Sequence, residues 1–195
     1  GQHAHLWAWG DVIGAVFGHA ASRWIAVDDA SGRLLGVLPV VHVRHRLFGP
    51  ASVSMPFLNY GGPLGRSPAI EARLLEAARD EAWRLGSERV EFRDTRPRDG
   101  WTTRTDKIAP WLALPEHADA LMDGFRAKLR AQVRKSLAVP HQVRFGGAEL
   151  LPAFHAVYGR NMRDLGSPAN PRSLFAAILE AFPDDATLAV VEHGD

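Results

Sequence analysis

The run VEFRDT, residues 90–95, brings together charged side chains whose spacing could carry chemistry. If it is a strand with Val90 and Phe92 facing a core, Glu91 and Arg93 share the opposite side. They then form a simple same-face ion pair, or Glu91 or the adjacent Asp94 takes a proton from an attacking ammonium. An amine attacks only when neutral, so a carboxylate base is chemically sensible for such a step. A second cluster is wholly basic. From Gly124 to Ala148 there is no carboxylate, yet the stretch holds Arg126, Lys128, Arg130, Arg134, Lys135 and Arg144. Arg126, Arg130 and Arg134 recur at every fourth residue and so share one face of a helix. With no acids interleaved, ion pairing along the helix is not their purpose. The face is either a solvated one or one where Arg130, Arg134 and Lys135 hold ligand phosphate beside a cleft between domains.

The stretch NYGGPLG, residues 59–65, offers adjacent glycines at Gly61 and Gly62. They allow close approach of backbone to a ligand, or they make a plain turn. Asn59 and Tyr60 line a pocket on the first reading; on the second, Tyr60 is a core aromatic with a satisfied hydroxyl. His3-x-His5 and His42-x-x-His45 have no carboxylate in ligand spacing, so no metal site is expected. No nucleophile elbow or Walker loop is present. The six tryptophans, at helix and strand positions, are more simply core than a stacking platform.

The whole chain is close to neutral, with 23 Lys+Arg against 22 Asp+Glu. That argues against wholesale wrapping of nucleic acid, and no DNA partner is expected, while a local basic site remains compatible. The chain has no cysteine, so disulfides and thiolate metal sites are excluded. No apolar run reaches the roughly 18–20 residues that span a bilayer, and the opening GQHAHLWAWG does not read as a signal peptide. With 46% hydrophobic residues in 195, the chain can bury a real core in one domain or two small ones.

The elements that must position these residues can be read in order. Residues 7–18 have near-helical apolar spacing. Two β-rich runs flank the turn from Asp28 to Gly32, with Pro39 in the second run predicting a bulge or an edge. A strand in ASVSMPFLNYGGPLG leaves through the glycine loop. The clearest helix is 68–86, with Ile70, Leu74, Leu75, Ala78 and Trp83 as its apolar face and Gly86 as its stop. RVEFRDT and then TDKIAPWLALP, broken by Pro110, follow as strands. A helix runs from about 118 to 137, after which strand HQVRFG, helices 148–164 and 171–181 and strand 186–193 restart the pattern. This is an α/β order around a mixed sheet, and the restart is a weak internal repeat with its second copy cut short. The last run, ATLAVVEHGD, enters a turn with nothing after it to pair, so the chain reads as a fragment of a longer protein.

Helix, hairpin with a short acidic turn, long strand, loop and helix is the order of the GNAT acyltransferase fold. The segments FGH, GRLLGVLPVVHVRHRLFGPASVSMPFLNYGGP, VEFRD, LRAQVRKS and YGRNMRDLGSP together resemble the FemAB-like proteins associated with exosortase/PEP-CTERM systems. The resemblance covers nearly the whole chain. It implies two tandem GNAT-like units: a first domain at 1–115, a linking basic helix at 116–140 and the beginning of a second at 141–195. It also implies an N-acyltransferase without a permanently bound cofactor. Better-known members of this group join an amino acid from aminoacyl-tRNA to the peptide of a peptidoglycan precursor. For this branch the implied acceptor is a cell-envelope precursor or exopolysaccharide. The donor is aminoacyl-tRNA or, alternatively, acyl-CoA, and the phosphate met by the basic helix belongs to tRNA, a nucleotide-linked precursor or CoA. The expected location is the cytoplasm, the inner-membrane surface included. Members carry an Arg closely followed by Gly where Arg163 and Gly166 stand, although Arg163 also reads as a surface residue beside a capping Asp164. An ordinary GNAT enzyme has a glycine loop gripping the CoA pyrophosphate near residues 59–65, but the usual Arg/Gln-x-x-Gly-x-Gly/Ala word is missing. The rival from another class is a non-catalytic module that binds envelope polysaccharide or RNA.

Overall fold

The computed structural model describes residues 3–45, 47–106 and 110–193. A one-turn 3-10 helix, His3–His5, leads into α1 (Ala8–Phe17), and Gly18 ends α1 in the left-handed conformation that glycine adopts without strain. Strands β1 (Ala20–Val27) and β2 (Leu34–His45) form an antiparallel hairpin whose turn is tied by Asp28, which accepts from the N–H and hydroxyl of Ser31. β3 (Gly49–Val53) returns antiparallel to β2, and the short β4 (Leu64–Gly65) pairs the same strand farther back. After α2 (Pro68–Arg84), β5 (Arg89–Glu91) joins β3 in parallel and completes a five-stranded mixed sheet.

Pro39 lies in neither a bulge nor an edge strand. It faces Arg23 across an unbroken register, and the one shift in the hairpin is at Ala26/Val27. On the other side of β2, β4 covers Gly36 and Val37 and β3 begins at Val41, so Pro39 falls in the gap between those two pairings. A proline is tolerable where a ladder is interrupted.

Alternation along β1 and β2 sorts the two faces. Leu38 and Val40 turn to α2, where they pack with Leu74, Leu75 and Ala78. Val41 turns to α1 and packs with Trp9, Val12, Ile13 and Met55. Ser67 caps α2 by accepting from the Ile70 N–H, Pro68 occupies the first turn, and Gly86 follows the helix at positive φ. Trp83, expected on the apolar face of this helix, is half exposed instead.

The chain from 110 to 117 forms no strand, and Trp111, Leu112 and Leu114 are exposed; Lys107, Ile108 and Ala109 of the expected strand lie outside the described residues. The expected single helix at 118–137 is two, α3 (Ala118–Gly124) and α4 (Ala127–Leu137), separated by Phe125 and Arg126 in extended conformation. Arg126 is therefore the residue before α4, not part of its face. Then follow β6 (Gln142–Gly146), a 3-10 turn at Ala148–Leu150, α5 (Leu151–Asp164), α6 (Arg172–Ala181) and β7 (Leu188–Glu192). β7 pairs antiparallel with β6, so the run ATLAVV has a partner that precedes it in the chain. Leu150, Leu151, Leu188 and Val190 form the core beneath this ribbon.

α6 also reaches back to α1. Leu174 and Phe182 complete the cluster around Trp9 and Ile13, with the Phe182 and Trp9 rings 4.9 Å apart. Burial of large apolar groups is the main stabilising contribution here. Phe182→Ala should therefore cost about 3 kcal/mol in urea unfolding. The loss should be felt by a fluorescence probe at Trp9 as much as by total helix signal, because both ends of the chain share one cluster.

Candidate functional site

Two segments meet at the C-terminal end of β3 and β5. One is the loop 54–63, the other the stretch 91–98 that leaves β5. Arg93 fastens them. Its carbonyl accepts from the N–H groups of Gly61 (3.0 Å) and Gly62 (2.9 Å), and its own N–H donates to the buried Ser54 hydroxyl at 2.7 Å. Its guanidinium donates to the Leu58 carbonyl and, at 3.1 Å, to the Glu91 carboxylate. The expected same-side placement of Glu91 and Arg93 is thus present, with Phe92 turned the other way onto Trp101.

Gly61 and Gly62 are glycine for a local reason. A Cβ on Gly61 would come within 2.7 Å of the Met55 side chain, and one on Gly62 within 3.0 Å of the Asp94 backbone. Their N–H groups are bonded to Arg93, so they are not a grip for a pyrophosphate, and neither glycine has positive φ. The positive angles fall on Met55 (φ 51°) and Phe57 (φ 72°). Non-glycine residues adopt this region at a cost, and such residues cluster where the surrounding structure enforces a functional shape. Here Met55 is buried and Phe57 stacks on Phe17 with centroids 4.5 Å apart. His5 contributes from the N-terminus: its Nε2 lies 2.7 Å from the Gly62 carbonyl. Asn59 is exposed, and Tyr60 stacks on Trp111 at 5.9 Å. So Tyr60 is not a core aromatic but part of an exposed-edge pair.

Asp94 does not point into open solvent. Arg98 Nε donates to it at 2.6 Å, and its other oxygen accepts from the Thr95 N–H. Arg98 Nη1 also donates to Glu71 at 2.7 Å, Arg96 binds the same Glu71 oxygen, and the Gly65 N–H donates to the remaining one at 3.2 Å. Glu71 is 6% exposed. Burial acts to raise its carboxyl, but the Arg98 and Gly65 hydrogen bonds and the charges of Arg98 and Arg96 outweigh it and hold it below the ordinary value. Arg98 itself loses some basicity to burial and gains more from Asp94 and Glu71, so it is held above its usual value. Asp94 is therefore committed to shaping the 91–98 stretch, and Glu91 is the carboxylate left at the open edge of the pair of loops.

Nothing in the sequence marks Glu71, Arg96, Arg98 or His5 as members of this site. A glutamate in the first turn of a helix has an ordinary role there, and Arg-x-Arg after a strand signals nothing by itself.

The basic residues stand apart. Arg130 donates to the Phe125 and Asp123 carbonyls and so closes the C-terminal end of α3. Arg134 and Lys135 are exposed in the last turn of α4, where positive charge suits the helix dipole. Neither α3 nor α4 has a buried residue, and among the described residues no hydrogen bond or ion pair links α4 to the two loops. Arg163 is exposed and pairs with Asp164 at 3.1 Å. No group of three or more potential metal ligands occurs among the described residues.

The buried Glu71 network gives a pH test. A carboxyl lowered by folding contributes stability above its unfolded value, and that contribution is lost as pH falls through the folded value. Arg98→Met leaves the Glu71 and Asp94 charges without a shared partner and should cost about 3 kcal/mol near neutral pH. Because protonating Glu71 removes the charge that has lost Arg98 and keeps only Arg96 and the Gly65 N–H, the gap between variant and wild type should narrow on acidification below the ordinary glutamate value, in parallel urea titrations.

No family model matches the chain, and no curated protein does either. Among solved structures, the crystal structure of FemX superposes with a TM-score of 0.61 at 19% identity, covering 99% of this chain and 53% of the FemX chain. The chain thus spans about half the length of that protein. At this identity the likeness speaks for the fold, and the fold expected from the sequence holds: a FemX-like, GNAT-type mixed α/β sheet flanked by helices.

Proposed function

We propose that the chain is part of a Fem-like N-acyltransferase, in which residues 141–195 open a second GNAT-like unit. The observation that carries this reading is the Glu91–Arg93 pair held at a clamped loop edge in a FemX-like fold. Glu91 takes a proton from the acceptor ammonium. The neutral amine attacks the ester carbonyl of an aminoacyl-tRNA, giving a tetrahedral oxyanion. The intermediate loses its second proton to solvent, the ester C–O bond breaks, and the departing ribose oxygen takes the proton from Glu91. Arg93, fixed at Leu58 and Glu91, places positive charge beside this exchange. The remaining catalysis is positioning, and no covalent enzyme intermediate or resident cofactor is needed.

Acyl-CoA is the second choice of donor, because the Gly61 and Gly62 N–H groups that would grip its pyrophosphate are already bonded to Arg93. Tyr60 and Trp111, stacked at the loop edge with Asn59 beside them, form the side of the site that faces the acceptor. The acceptor is an amine of a cell-envelope precursor, with the exosortase-linked exopolysaccharide branch as the narrower reading. Arg134 and Lys135, and Arg163 in the second unit, meet donor phosphate; Arg130 supports them by fixing the α3–α4 junction.

Two measurements test this. Glu91→Gln should lower kcat by about 10²–10⁴ with aminoacyl-tRNA as donor and leave donor binding intact; full activity in this variant removes Glu91 from the mechanism. Arg134→Glu should weaken donor binding about tenfold, the loss shrinking as salt rises. Product mass spectra showing no acyl transfer from either donor, with RNA or polysaccharide still bound, would favour the binding module.

A further inference from the structure

A second polar site lies at the opposite end of the sheet, away from the clamped loops. His42 links a chain of hydroxyls: Ser22 Oγ is 2.7 Å from its Nε2, Ser52 Oγ is 2.8 Å from its Nδ1, and Ser87 Oγ is 2.7 Å from Ser52 Oγ. Ser52 and Ser87 are buried. Beside this chain is a cavity of about 340 Å³ whose polar lining comes from His19, His42, Arg44 and Ser87. Among the described residues no carboxylate lines it. The nearby acids are Glu81, paired with Arg84 at 2.7 Å, and Glu88, whose side chain rests against Gly49. Both His42 nitrogens are taken by Ser22 and Ser52, so the groups left to meet an anion are the Arg44 guanidinium and the His19 imidazole, with the Ser87 hydroxyl beside them; this set suits a phosphate group.

The surroundings of the mouth decide which phosphate. Arg44 faces Pro50 on the rung next to the last of the β2–β3 hairpin, and beyond the final rung, His45–Gly49, come Leu47 and Phe48. These two are 83% and 76% exposed. The ring contact of Phe48 with His45, at 4.8 Å, stays within the tip. A free phosphate has no use for the apolar pair at this hairpin tip, whereas a phospholipid presents both an anionic group and apolar chains. We propose that this end of the molecule docks on an anionic lipid surface, Leu47 and Phe48 entering the interface while the His19–His42–Arg44–Ser87 cavity takes a headgroup phosphate. Burial, with His45 nearby, holds the His19 imidazole below its ordinary value. Burial likewise holds His42 low, with the Glu81 charge opposing and Arg44 adding. An anion bound between them pushes both up, which supplies a readout.

The test needs no turnover, so its outcome is independent of the acyl-transfer reading. The 195-residue chain is sedimented with vesicles of mixed phosphatidylglycerol and phosphatidylcholine, and with phosphatidylcholine alone. Binding should be about tenfold stronger to the anionic vesicles, and should fall about tenfold in Leu47→Ser/Phe48→Ser and in Arg44→Gln. Those side chains are exposed at the tip or rim, and thermal melts report whether each variant is folded. In a parallel arm, the imidazole signals of His19 and His42 are titrated with short-chain phosphatidylglycerol and with inorganic phosphate, and the lipid should raise both midpoints more. Wild type that ignores anionic vesicles, folded variants that bind like wild type, or histidines that respond as strongly to inorganic phosphate would each overturn the proposal; the last would mark a free-phosphate site.

Discussion

The backbone of Arg93 is the constraint on which the rest of the site depends. Backbone polar groups withdrawn from water must find partners, and the two of half-buried Arg93 take three: two glycine N–H groups at its carbonyl and the Ser54 hydroxyl at its N–H. Once those bonds form, the loop 54–63 can only lie flat on the chain leaving β5. The glycines at 61 and 62 follow from that closeness, as does the strained turn at Met55 and Phe57. The guanidinium of the same residue then ties Leu58 and Glu91. One residue thus fixes loop, strand end and carboxylate together.

Glu71 plays the corresponding part on the other side of Asp94. Its burial among Arg96, Arg98 and the Gly65 N–H keeps a carboxylate charged inside the protein. Such an arrangement gives little net stability over an apolar one, but it is intolerant of losing a partner. It therefore specifies geometry: Asp94 is drawn toward Arg98, and Glu91 is left as the reachable acid.

Much of the architecture was legible in the chain. Ser67-Pro68 and Gly86 are strong punctuation, and α2 begins and ends where they say. The alternation of VEFRDT gave the sides of Glu91 and Arg93 correctly, because a period of two is a local property. The break between α3 and α4 was not legible, since the four-residue spacing of arginines continues through Arg126 although the helix does not. Pro39 misled because its effect depends on which strands pair with β2 and where they stop. The apolar letters of 110–114 read as a strand, yet among the described residues this stretch pairs with no strand. Glu71 and the uses of the Gly61 and Gly62 N–H groups depend on residues about 25 to 32 positions away, and no local pattern announces such partners.

The contact of α6 with α1 has a temporal consequence. Phe182 and Leu174 close a cluster begun by Trp9 and Ile13, so that part of the core has very high contact order. During synthesis at ~5–20 residues per second, the apolar side of α1 waits about ten to thirty seconds before its last partners leave the ribosome. The β1–β2 hairpin and α2 can assemble meanwhile, since their contacts lie closer in sequence. The nascent chain therefore carries Trp9 and Ile13 incompletely covered until Phe182 has emerged, a natural occasion for a holding chaperone.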